Sequence, residues 1–267
     1  MILKNIDNPL IKKIHNNLTK FGYIKVSNLI KKKYVNQLLC QLKQIHKSGV
    51  VNKGLPERDS KDLRVNNLAK RSKIFCDLVS DPQIEKILKP ILNDKYYRFL
   101  PPSVPNYILG GFNGRSSGNK LDLHIDSCMP YLGNYRSSML VLFVLEKMSD
   151  INGATIIVPK SHLSGTYTDR KTKKIKIINA FPGDVLFLDA RTWHGTTENK
   201  TNSSRWLITS AFYAWWMKQQ VDFPRSIPKK ILKKLSNKQK QILGFCSIPP
   251  ISEEDRINIK CGYEVLK

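Results

Sequence analysis

The sequence predicts a mostly β protein with helical flanks, its β part a sandwich or barrel of which the double-stranded jelly roll is one form. Three observations carry this expectation. Apolar residues recur at helical spacing through the first 92 positions, and the character of the chain changes near residue 95. From there, eight short β-branched and aromatic runs follow at near-regular intervals. Short, evenly spaced strands divided by turn residues are the pattern of closed or double-layered antiparallel folds. The expected organisation is a single domain over 1–267, with a helical region over 1–94, a β core over 95–217 and a helical or irregular tail over 218–267.

The elements follow from local pattern. In "NPLIKKIHNNLTKFGYIKV", Leu10, Ile14 and Leu18 share one helical face and Gly22 supplies the stop. "YVNQLLCQLKQIHKSG" repeats this with Val35, Leu38, Leu39, Leu42 and Ile45 before Gly49. "RSKIFCDLVSDPQIEKILKPIL" reads as two short helices parted at Asp81-Pro82, and the polar "VNKGLPERDSKDLRVNN" reads as an exposed loop. The strand runs are "YYRFL", "PNYILGGF", "KLDLHID", "SSMLVLFVLEK", "ATIIVP", "KIKIINA", "DVLFLDA" and "RWLITSAFYAWW", separated by Gly, Pro, Asn or Ser. One helix is expected around "KKILKKLSNKQKQILG" in the tail.

Composition narrows the class. Hydrophobic residues at 41% and charged residues at 25% suit an ordinary globular domain. The opening "MILKNIDNPLIKKIHNN" interrupts every apolar run with Lys, Asn or Asp, and the longest apolar stretch, Met139 to Leu145, is far short of a membrane span. A soluble, cytoplasmic protein with no membrane association is expected. Five cysteines, odd in number and without a C-x-x-C, suggest neither a disulfide framework nor a zinc site. The net charge of +24 invites a nucleic-acid partner. Its lysines are spread along the whole chain with abundant Asn and Ile, as codon bias would produce, and no nucleic-acid signature accompanies them, so the expectation is a solvated basic surface.

The stretch "LDLHIDSCMP" places His124 and Asp126 two apart at the end of a predicted strand, hence on one face. An imidazole and a carboxylate so placed suit a divalent metal such as Fe(II), provided a third ligand exists. Of the other histidines, His15 and His46 fall in helices, whereas His162 and His194 both follow strands. Arg205 favours His194: it lies eleven residues on, across a polar turn, at the start of the apolar "WLITSAFYAWW". A guanidinium entering a barrel needs an anionic partner, and Arg grips a planar carboxylate with two parallel hydrogen bonds. Two imidazoles and one carboxylate leave metal positions open, as in non-heme Fe(II) oxygenases.

With these residues in order, the chain resembles the phytanoyl-CoA dioxygenase family of Fe(II)- and 2-oxoglutarate-dependent oxygenases. The resemblance rests on "GYIKVSNLIKKKYVNQLL", "LHID", "NGATIIVPKSHLSG", "FPGDVLFLDARTWHGTTENKTNSSRW" and "LGFCSIPP", and spans nearly the whole chain. It implies a double-stranded β-helix (jelly roll, cupin-like) core, with His124, Asp126 and His194 as iron ligands. It also gives Arg205 and Thr196 the distal carboxylate of 2-oxoglutarate, and O2 as the second cosubstrate. His162 falls in a turn that shapes the site mouth without binding iron, with Lys160 where the family usually has Gly. Asp126 leaves no vacancy for halide, which favours hydroxylation over halogenation.

The expected activity is hydroxylation of a small polar or anionic metabolite. A nucleic-acid-modifying oxygenase and a non-catalytic metal-binding jelly roll are the alternatives; the sequence does not fix the oligomeric state. Around the motif, Asn152-Gly153 reads equally as turn and site element, "FPGD" as scaffold and Trp193 as packing. Asp122 and Asp189 could orient the imidazoles. The glycine-rich 109–120 suggests a mobile lid, Arg115, Lys120 and Arg136 a modest basic rim, and Cys128 lies near the metal motif with no role assigned.

Overall fold

Helix boundaries are set by capping side chains. Asp7 accepts from the Leu10 amide and opens α1, Asn8–Phe21, which closes on Gly22 in the left-handed conformation. β1, Tyr23–Val26, follows directly, then α2, Lys32–Lys47, which buries Val35, Leu38 and Leu42. α3, Lys73–Val79, and α4, Pro82–Leu92, part at Asp81, whose carboxylate caps α4 through Gln83 and also accepts from the Ile2 and Leu3 amides. One buried acid thus fixes a helix start and the beginning of the chain together. This computed structural model describes residues 1–49, 62–97, 100–101, 103–116, 118–126, 133–169, 171–248, 252 and 254.

The remaining strands are β2 (Leu63–Asn66), β3 (Ile108–Ser116), β4 (Leu121–His124), β5 (Ser138–Val144), β6 (Thr155–Ile157), β7 (Lys176–Ile178), β8 (Val185–Asp189), β9 (His194–Thr196) and β10 (Trp206–Tyr213). They form two antiparallel sheets, β1-β8-β5-β10-β3-β2 and β4-β9-β6-β7, the two layers of a jelly-roll, double-stranded β-helix core. β5 is buried on both faces, which explains its unbroken apolar run. Its Met139, Val141 and Phe143 pack with the helices on the outer side. Leu140, Leu142 and Val144 pack with Leu186, Leu188 and Leu207, and with Ile157 and Ile178 of the smaller sheet. Strand alternation thereby separates the helix-facing core from the inter-sheet space that holds the site.

Four of the expected elements change. The loop preceding the β core ends in a strand, β2, paired to β3. β1 also lies inside the helical region and pairs with β8. Tyr96 sits in a turn, so "YYRFL" is no strand over its described residues. The tail helix divides into α6, Lys229–Leu232, and α7, Asn237–Ile242, after the short α5, Phe223–Ser226, because Ser236 and Gln239 form a capping box that starts a new helix.

The glycine-rich segment is no lid over its described residues. Residues 108–116 are β3, hydrogen-bonded to β10 on one side and β2 on the other. Its glycines answer to packing: a Cβ on Gly110 would lie 2.0 Å from the Tyr213 ring, and one on Gly114 2.6 Å from Leu42.

Cys40, Cys76 and Cys246 are free thiols, while Cys128 and Cys261 lie outside the described residues. Among the described residues, no helix is long and apolar enough to cross a membrane.

Candidate active site

β4 and β9 pair so that His124 stands directly across from His194. The approach depends on Gly195, whose Cβ would sit 2.3 Å from the Leu121 carbonyl oxygen and 3.0 Å from that of Asp122. Both obstacles are backbone, which cannot swing aside. Gly195→Ala is therefore expected to destabilise the fold by about 1–3 kcal/mol, read from the denaturant midpoint.

Beyond β4, the Asp126 amide donates to the Ala190 carbonyl (3.1 Å), carrying Asp126 over the turn that precedes His194. His124 Nδ1 lies 2.9 Å from the Asp122 carbonyl, and His194 Nδ1 lies 2.9 Å from the Thr192 carbonyl. A carbonyl only accepts, so both Nδ1 atoms carry the proton and both Nε2 lone pairs are left for a ligand. Those Nε2 atoms lie 3.5 Å and 3.6 Å from the two oxygens of Asp126. All three ligand atoms fall within 4.8 Å of one another, and His124, Asp126 and His194 are the group of metal-binding type found among the described residues.

Burial raises the Asp126 carboxyl, but the two imidazoles outweigh it and hold it well below the usual carboxylate range. For His124, burial lowers the ring, yet the Asp126 carboxylate and the Asp122 carbonyl win and raise it above its ordinary value. A metal held by this imidazole would need it neutral, so binding would displace a proton from whatever fraction is charged. Affinity should therefore decline as pH falls through the raised His124 value. At a pH near that value, calorimetry in two buffers of different ionisation enthalpy should register proton release.

Arg205 stands immediately before β10 and is 1% exposed. Its amide donates to Ser116 Oγ (2.7 Å), and the neighbouring Ser204 hydroxyl and Trp206 amide both donate to Glu146 Oε2 (2.9 Å each). The backbone is fixed on either side, yet the guanidinium Nε and Nη2 have no partner among the described residues. Burial, then the nearby Arg115 cation, push its pKa down to about 9. Arg205 remains a cation at neutral pH with donors unused. It lines the same cavity, of about 240 Å³, as His124, Asp126 and His194. Thr196, on the His194 face of β9, also lines this cavity, and its hydroxyl accepts from the Leu121 amide (3.2 Å), leaving its own proton to donate.

A sequence model of the family described as phytanoyl-CoA dioxygenase (PhyH) matches residues 18–206. This chain belongs to the phytanoyl-CoA dioxygenase family. Over 251 residues, 89% of this chain and 78% of the relative, it is 22% identical to Dioxygenase af480 of Aspergillus fumigatus. Its fold is similar to HygX from Streptomyces hygroscopicus solved with nickel, 2-oxoglutarate and hygromycin B, with TM-score 0.60, 18% identity, and 78% of this chain and 89% of that one covered. It is also similar to the epimerase SnoN solved with Fe3+, alpha ketoglutarate and nogalamycin RO, with TM-score 0.61, 14% identity, and coverage of 79% and 86%. Membership makes the chain a non-heme iron, 2-oxoglutarate-dependent dioxygenase. The donors present fit that chemistry: two imidazoles and a carboxylate for iron, and a buried, unsatisfied guanidinium for an organic acid.

Other residues singled out from the sequence take different places. His162 is buried, with Nε2 3.1 Å from the Thr19 carbonyl, and it stands apart from the cluster of His124, Asp126 and His194. His15 reaches the Ile87 carbonyl (3.0 Å) and His46 packs edge-on against Trp206. Asp122 orients His124 through its carbonyl, while its carboxylate lies 3.5 Å from Lys120 at the surface. Asp189 pairs with Arg136 and Arg191, and the role suggested for it at His194 belongs to the Thr192 carbonyl. Trp193 packs with Leu123, Ile156 and Val158. Asn152 Oδ1 accepts from the Ser149 amide in the turn that leads to Gly153, a structural role.

Of the proposed rim, Arg115 lines the cavity, whereas Lys120 and Arg136 do not. Sequence reasoning missed Arg64, which reaches the cavity only because β2 pairs with β3.

Proposed function

We propose that His124, Asp126 and His194 bind Fe(II), that Arg205 and Thr196 hold the distal carboxylate of 2-oxoglutarate, and that the chain hydroxylates a small polar or anionic metabolite. The observation that carries this is the Arg205 guanidinium, buried with unpaired donors on the cavity that the three ligand side chains share. A buried cation without an anion is costly, and a carboxylate placed there removes the cost.

When bound, iron and 2-oxoglutarate supply the redox chemistry by which O2 and 2-oxoglutarate become CO2, succinate and one oxygen atom delivered to a substrate C–H bond. The chain supplies placement. The Asp122 and Thr192 carbonyls hold both imidazoles in the ligating tautomer, and the Ser116 and Glu146 contacts fix the backbone around Arg205. Leu140, Leu142 and Leu207 form an apolar wall that limits water in the cavity. As a ligand, the Asp126 carboxylate would leave no vacancy for halide, which favours hydroxylation over halogenation.

The test is a screen of small metabolites with anaerobically loaded enzyme, scored by O2-dependent succinate release above the substrate-free rate. A hydroxylated product formed one-to-one with succinate supports the reading. Binding of metal without 2-oxoglutarate, or turnover that ignores Arg205, would sink it.

A further inference from the structure

One turn places the two side chains that His124 meets across the site. Between β8 and β9, the Ala190 carbonyl accepts from the Asp126 amide (3.1 Å) and the Thr192 carbonyl accepts from His194 Nδ1 (2.9 Å). The shape of residues 189–193 therefore sets a carboxylate and an imidazole together. Asp189 and Arg191 hold that shape. Asp189 Oδ1 accepts from the Arg191 amide (3.1 Å) and Nε (2.9 Å), and Oδ2 accepts from Nη2 (2.7 Å). The Thr192 amide donates to the Asp189 carbonyl (2.9 Å). A planar fork thus closes the turn on a carboxylate two residues away. The Arg191 side chain is 10% and that of Asp189 1% exposed, so water does little to loosen the pair.

The remaining guanidinium nitrogen, Nη1, donates to the Gly133 carbonyl, seven residues beyond Asp126. One side chain therefore ties the turn before His194 to the chain on the far side of Asp126. All three nitrogens are committed within the protein and Arg191 does not line the cavity, so it is no contact for substrate or cosubstrate. Arg136 differs. It lies 3.3 Å from Asp189 Oδ2 and donates to Thr19 Oγ1 (2.8 Å) on α1, which ties Asp189 to a helix without spanning the turn. The geometry points to Arg191 as a positioning residue of the iron site: by bracing residues 189–193, it holds Asp126 and His194 where they can share one metal ion with His124. This inference rests on the reading above, in which those three side chains bind iron. His124 is oriented by the Asp122 carbonyl instead, so loss of Arg191 should weaken the site without abolishing it.

The test titrates the full metal-free chain with Co(II), whose visible absorption reports ligand geometry, and reads affinity by equilibrium dialysis. Arg191→Met removes the fork yet leaves Asp189 paired with Arg136, so no buried carboxylate is stranded. Its Co(II) affinity should fall by about tenfold, the lower end of what loss of an outer hydrogen bond to a metal ligand costs, and its spectrum should shift. Arg191→Lys keeps a cation beside Asp189 without the fork and should fall between, about threefold weaker than wild type. Arg136→Gln also loses an Asp189 contact and should lower Tm, but it should keep the wild-type spectrum and an affinity within about twofold. An unchanged affinity or an unchanged spectrum in Arg191→Met overturns the inference. So does a loss in Arg136→Gln as large as that in Arg191→Met, because affinity then merely follows stability, or an Arg191→Lys no better than Arg191→Met. Should thermal unfolding show that Arg191→Met does not fold, Arg191→Lys decides: weaker binding with a shifted spectrum supports the inference and wild-type values overturn it. A wild type that binds no Co(II), or a His194→Ala that binds it equally well, would overturn the underlying reading and this inference with it. That outcome is distinct because it is seen without any Arg191 variant.

Discussion

Replacing His194 by alanine should lower metal affinity by more than ~100-fold and abolish O2-dependent succinate formation. Loss of an outer hydrogen bond to a metal ligand already costs ~10–100-fold, and under the proposed assignment the ligand itself is lost. Asp126→Ala should behave alike, because it removes the carboxylate that both imidazoles face. Equilibrium dialysis with Fe(II) under nitrogen reads the affinity, and thermal unfolding of the metal-free chain checks that the fold survives. Full activity in His194→Ala would move the third ligand to His162. That outcome would require a ring now tied to the Thr19 carbonyl to leave its place, so the geometry argues against it.

Arg205→Met should separate binding from stability. Removing one partner of a buried, hydrogen-bonded charge pair costs about 2–5 kcal/mol, roughly 30- to 5,000-fold in the Kd for 2-oxoglutarate. The ligand-free chain should respond in the opposite sense. Nε and Nη2 of Arg205 are buried without partners there, so an apolar side chain of similar length removes a desolvation cost of about 1–3 kcal/mol and should raise Tm by a few degrees. Added metal and 2-oxoglutarate should then raise Tm in the wild type much more than in the variant. A variant that loses stability without ligand and keeps 2-oxoglutarate affinity would make Arg205 a structural residue.

How much of this was legible in the sequence follows from how local each signal is. His124 and Asp126 are two apart on a strand end, and a charged Arg205 opening an apolar strand is conspicuous in one dimension. Thr196 came from family resemblance, and its geometric sense appears only with the β4–β9 pairing. Arg64 is out of reach, because it arrives at the cavity through strand pairing across about fifty residues, and nothing in "SKDLRVNN" states that partner. The three-residue β9 gives no periodicity to read. Glycines in β3 suggested mobility because the Tyr213 ring and Leu42 that require them lie far away in sequence. The break between α6 and α7 is legible: Ser236 followed by Gln239 is a capping signal, masked by a long apolar period.

In the proposed site one cavity holds iron on His124, Asp126 and His194 and couples it to a 2-oxoglutarate anchored by Arg205. Anaerobic addition of Fe(II) to the chain with 2-oxoglutarate tests this most directly, by the visible charge-transfer absorption of a 2-oxoacid chelated to Fe(II). The expected band saturates at one equivalent of iron, requires 2-oxoglutarate, is absent in Asp126→Ala, and in Arg205→Met needs far more 2-oxoglutarate to appear. An undiminished band in Asp126→Ala, or the same 2-oxoglutarate requirement with and without Arg205, would contradict it.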